Sequence, residues 1–154
     1  MSRAGNRTPW APGRGLPPRR GVAMVELAVV LPLLLLLLLG AIDFGRFAHS
    51  YITVTNASRS GAAFGAVNPF TTATQGNWQT QVRDRVTQEM QGVMDADAEF
   101  GDADLAVTAV RSLDAGGLWR IRVEVTYPFE PLVPWPGIPA RLDMKRAVEM
   151  RGIR

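Results

Sequence analysis

Three patterns predict an α+β protein made of a long N-terminal membrane-spanning helix, a second amphipathic helix and a three-stranded antiparallel sheet. Residues Val22 to Ile42 form an apolar run whose one charged member is Glu26. Trp78, Val82, Val86, Met90 and Val93 recur along one helical face. From Trp119 to Tyr127, apolar and polar residues alternate strictly, as in a strand with one buried face.

The apolar run is long enough to span a bilayer. Its residues, rising about 1.5 Å each, reach about 31 Å, close to the ~30 Å hydrocarbon thickness. Leu27, Leu31 and Leu33 to Leu39 each favour insertion by about 0.5 kcal/mol, together roughly 5 kcal/mol. Glu26 opposes this by about 3 kcal/mol at the bilayer centre, and by less near the end of the span. Pro32 lies in an early turn, where a membrane helix tolerates a kink.

Charge bias sets the expected topology. Arg3, Arg7, Arg14, Arg19 and Arg20 precede the span without an accompanying acid, whereas Asp43 and Arg46 follow it closely. A cytoplasmic N-terminus and an exported C-terminal part follow, in a single-pass protein of the cytoplasmic membrane. From Val22 onward there remain 12 of the 17 basic residues and all 14 acids, a net charge of −2. That balance gives no electrostatic case for nucleic acid as a partner.

The expected organisation is a basic leader over 1–21, a transmembrane and protruding helix over 22–66, and an extracytoplasmic α+β domain over 67–154. Pro9, Pro12, Pro17 and Pro18 keep the leader from forming regular helix. Phe44, Phe47, Tyr51, Val54 and Ser58 continue helical spacing beyond the apolar run, and Asn68 and Pro69 stop it. Ala57, Gly61 and Gly65 repeat every four residues, a small-residue face that admits a close neighbour. That neighbour is either the chain's own domain or an adjacent subunit. Asn77 is the expected cap of the second helix, and Gly92 lies near its end.

The last third is strand-like. Leu105 to Arg111 predict a first strand, Asp114 to Gly117 a turn, and Trp119 to Tyr127 the second strand. After the proline-rich crossing from Pro128 to Pro139, Leu142, Met144, Val148 and Met150 mark a third strand whose apolar face Arg146 interrupts. One helix laid across three strands is the expected architecture.

Nothing in the chain groups residues into an active site. Cysteine is absent, which removes disulfides, thiolate nucleophiles and sulfur metal sites, and His49 is the lone histidine, expected on a helix surface. In the acidic stretch from Asp95 to Asp104, Gly101 is displaced from the EF-hand pattern and Ala106 stands where the closing glutamate is needed. Asp43, Phe44 and Gly45 match a kinase metal motif by letters alone. A non-enzymatic protein without cofactor or metal is therefore expected.

Glu26 remains. A carboxylate in an apolar helix needs a partner: the basic leader, the α-amino group of Val22 if the chain is cut after Gly21, or water at the headgroup level.

The stretch from Arg19 to Ala66, with its Gly21, Glu26, Leu31–Pro32, polyleucine and Asp43–Phe44–Gly45–Arg46, resembles the N-terminal segment of TadE-like proteins. These are minor pilins or pseudopilins of tight-adherence, Flp-type pilus and secretion systems. Thr126 to Pro134 and the final strand are similar to the family more loosely, and Leu27 stands where many members carry an aromatic. The resemblance implies a pilin-like fold, a prepilin-type peptidase cutting between Gly21 and Val22, and an assembly role for Glu26. The implied partners are the lipid bilayer, that peptidase, other pilin-like subunits and the pilus assembly platform. Two rival readings are a membrane-tethered binding module using Trp119 or Trp135 as an exposed anchor, and an exported protein cut by signal peptidase near Ala41.

Overall fold

A computed structural model describes residues 20–97 and 99–152. Most of the basic leader expected over 1–21 thus lies outside the described residues. The element order is α1 (Arg20–Val67), α2 (Gln75–Ala96), β1 (Ala106–Leu113), β2 (Trp119–Phe129) and β3 (Leu142–Arg151). The α+β fold expected from the sequence is the one observed.

Helix α1 runs for 48 residues with Pro32 inside it. Residues 21 to 39 are all exposed, with leucines such as Leu33 at 59% and Leu37 at 61% of full accessibility. Side chains this apolar and this uncovered require a nonaqueous surrounding, and the helix is long and apolar enough to cross a bilayer. The described chain forms two compact units that divide between Leu38 and Leu39. The C-terminal half of α1 therefore belongs to the sheet-containing unit, because its small-residue face is part of that unit's core.

In that unit, β2 is the central strand of a sheet ordered β1-β2-β3, antiparallel on both sides. Ala109 pairs with Val123 in the first ladder, and Val123 with Val148 in the second. Ile121, Val123, Val125 and Tyr127 turn inward and are buried, as their alternation requires. On the opposite face Arg122 pairs with Glu149 at 3.1 Å and Lys145 with Glu124 at 2.6 Å. The β1–β2 turn is tied by Asp114, whose Oδ1 accepts from the backbone N–H groups of Gly116 and Leu118, both at 2.9 Å. Gly117 adopts φ 72° there, a conformation that favours glycine.

Two helices cover the inner sheet face, where one was expected. The buried side of α2 is Trp78, Val82, Val86, Met90 and Val93, the face its periodicity indicates. The second cover is α1, whose glycines let it lie close against both α2 and β2. A further difference concerns the start of α2. Asn77 falls inside the first turn and does not cap it; Thr74 precedes the helix, with its hydroxyl engaged by the Thr71 N–H at 3.0 Å. Arg146, which breaks the apolar pattern of β3, sets its guanidinium 4.4 Å from the Tyr51 ring centroid. A cation over an aromatic face satisfies that position without an apolar side chain.

Candidate functional site

The residues singled out in the sequence fall in three places along α1. Gly21 and Val22 lie in its first turn and are exposed. A methyl group added at Gly21 would meet nothing within 4 Å among the described residues. Glu26 is exposed one turn further on and forms no ion pair among the described residues. The leader arginines proposed as its partners lie outside those residues, apart from the backbone of Arg20.

Ala57, Gly61 and Gly65 are buried in the sheet-containing unit. A Cβ on Gly61 would stand 2.7 Å from Val86 Cγ2 and 3.3 Å from Val123 Cγ1. On Gly65 it would stand 2.9 Å from the Trp78 ring and 3.1 Å from Ile121 Cγ2. The small-residue face is therefore filled by the chain's own α2 and β2. Of the two neighbours the pattern allowed, the intramolecular one occupies it.

Asp43, first of the Asp–Phe–Gly triplet, is a buried acid with several donors around it. It is 6% exposed, and its carboxylate gathers the loop between β2 and β3. Oδ1 accepts from the Leu132 N–H at 2.9 Å, and Oδ2 from the Val133 N–H at 3.3 Å and from Trp135 Nε1 at 3.0 Å. Arg46, one turn along, reaches both Asp43 Oδ1 at 3.5 Å and the Glu130 carbonyl at 3.4 Å. The Asp–Phe–Gly–Arg sequence is thus a structural clasp between a helix and a proline-rich loop. The available signal was chemical: an acid placed at the end of an apolar run, and a tryptophan N–H in a loop whose prolines cannot donate.

Beside the clasp lies an open apolar groove of about 390 Å³. Gly40, Phe44 and Phe47 line one side, and Phe129, Trp135 and Ile138 are among those lining the other. Gly40 admits the indole: a Cβ there would be 3.3 Å from Trp135 Cη2.

The tryptophans of the rival binding reading are both half-buried. Trp119 is covered by the Arg111 guanidinium, 3.7 Å from its ring centroid, and Trp135 is held by Asp43. His49 is exposed on α1. Asp102 and Asp104, from the acidic stretch, serve local structure: Asp102 Oδ1 accepts from Arg83 at 3.3 Å, and Asp104 Oδ2 from the Gly101 N–H at 3.2 Å.

Together these features define a class: an α+β unit joined to a single N-terminal helix fit to cross a membrane once. Within that class, residues 21–63 match the family model described as TadE-like protein. No curated protein and no solved structure matches the chain.

Proposed function

We propose that this chain is a structural minor pilin or pseudopilin that assists assembly of a tight-adherence pilus or secretion machine, and that it is not an enzyme. One coincidence carries this conclusion: Gly21, Val22 and Glu26 stand at the head of an uncovered apolar helix, inside the segment that matches the TadE-like family. In this account the N-terminus is cytoplasmic, the sheet-containing unit is exported, and a prepilin-type peptidase cuts after Gly21.

Assembly proceeds by lateral association of helices. Because the ridge at Ala57, Gly61 and Gly65 is already filled, the contact with pilin-like neighbours falls to the exposed apolar part of α1 and to Glu26. Packing of apolar side chains supplies affinity, and a carboxylate matched to a neighbour's α-amino group fixes register. Mass spectrometry of the chain extracted from membranes of its native host tests the processing step. A species beginning at Val22 is expected, and Gly21→Leu abolishes it. An intact chain in cells with an active prepilin peptidase removes the processing claim, and a start at Ile42 assigns the cut to signal peptidase.

A further inference from the structure

The loop from Pro131 to Ala140 carries no charged residue, yet it is bounded by Glu130 and Arg141. Its apolar side chains are turned outward: Leu132 is 59% exposed and Ile138 49%. The clasp holds this loop against Gly40 and Asp43, the positions at which the apolar run of α1 ends. Phe44, next along the helix, is 72% exposed on the same groove. Side chains of this kind, presented together where a spanning helix leaves the hydrocarbon, are what the interfacial zone of a bilayer accepts.

We infer that the Pro131–Ala140 loop, with Phe44, is a second membrane contact that rests in the lipid interface, its groove filled by phospholipid acyl chains. This builds on the assignment of α1 as a membrane helix. Three observations favour lipid over a protein partner. The loop packs against Gly40 and Asp43 where the apolar run ends, it carries no charged residue of its own, and three of its N–H groups, those of Leu132, Val133 and the Trp135 indole, are taken up by Asp43, the one acid of the groove lining. The prolines suit the position, since they remove donors that lipid could not satisfy.

The chain has no cysteine, so single spin labels can be placed cleanly. The full chain is reconstituted in vesicles of phosphatidylethanolamine and phosphatidylglycerol, carrying Leu132→Cys, Ile138→Cys, Leu36→Cys or Val110→Cys. Labels at positions 132 and 138 are expected to collide severalfold more with oxygen, relative to an aqueous nickel chelate, than the label at exposed Val110 on β1. If labels at 132 and 138 behave like that at 110 while 36 remains in lipid, the interfacial contact is overturned and the spanning helix stands. If the label at 36 is aqueous as well, the membrane assignment itself fails. Dipolar broadening at 132 or 138 that disappears on dilution with unlabelled chain would put a second copy on the patch, and also overturns the proposal.

Discussion

Trp135 and Asp43, 92 residues apart in sequence, are joined by a 3.0 Å hydrogen bond from the indole Nε1 to the carboxylate Oδ2. The same carboxylate takes two backbone N–H groups of the loop, so one buried acid orders a segment otherwise held by few donors. Asp43→Ala is expected to destabilise the chain by about 2 kcal/mol, the scale for removing a charged acceptor from buried donors. Asp43→Asn retains a carbonyl acceptor and should cost about half as much. Thermal unfolding in detergent measures both, and faster proteolysis within residues 131–140 identifies the loop as the part released.

Glycines in the two helices should respond oppositely to alanine. At Gly61 the added methyl is forced to 2.7 Å from Val86 Cγ2, in a core where Val86 and Val123 are fully buried. The strain of about 1–3 kcal/mol exceeds the ~1 kcal/mol gain in helix propensity, so Gly61→Ala lowers stability or leaves it at best unchanged. Gly92, inside α2, has nothing within 4 Å of its added methyl. Gly92→Ala should therefore raise stability by about 0.5–1 kcal/mol. Denaturant titration of the two variants checks the signs; a stabilised Gly61→Ala would contradict the close contact.

Elements whose residues repeat with a clear period were legible in the sequence. The inward face of α2 matches its apolar spacing, that of β2 does so from Ile121 to Tyr127 with Trp119 only half-buried, and the turn at Asp114 to Gly117 follows from its composition. What was not legible depends on contacts distant in sequence. Gly61 and Gly65 gave a face but not its occupant, since Val86, Val123 and Ile121 come from other elements. The role of Asp43 is not legible from its neighbours in sequence, because its donors lie around Leu132 and Trp135. Arg146 interrupts the apolar face of β3, and its partner, the Tyr51 ring of α1, is 95 residues away in sequence.

Tyr127 at the alkaline end and Asp114, together with Asp43 and Glu124, at the acid end should contribute to the pH limits of stability. Burial pushes the Tyr127 phenol from its usual 10.0 up to about 12, with Asp97 and Asp104 adding to the effect, and its hydroxyl donates to the Phe100 carbonyl at 3.1 Å. An unfolded chain ionises this group first, so its contribution is whole below about pH 10 and is lost as pH rises toward about 12. Asp114 works in the other direction. The Leu118 N–H, opposed next in size by burial and then helped by the Gly116 N–H and Arg120, holds its carboxyl below the usual 3.8. Its contribution is present above that value and is lost as pH falls through the lower folded one. Tyr127→Phe should flatten the alkaline limb of unfolding free energy against pH, and Asp114→Asn the acid limb. Unchanged limbs would assign the titrations to other groups.

Glu26 separates a structural from a solvated acid. Lying in the apolar part of α1, a carboxylate opposes insertion by up to about 3 kcal/mol, so in an isolated helix Glu26→Leu should strengthen membrane retention. If the acid pairs with the α-amino group of a neighbouring processed chain, the same substitution removes the partner of that amine and incorporation falls, although cleavage after Gly21 continues. Glu26→Gln keeps the shape and a hydrogen-bond acceptor but no charge, and should fall between the two. The measurement is the ratio of mature chain in sheared pilus fractions to that in membranes, alongside its mass. Incorporation of Glu26→Leu at the unsubstituted level, with normal processing, would place this acid in the headgroup layer and leave helix packing to the leucines alone.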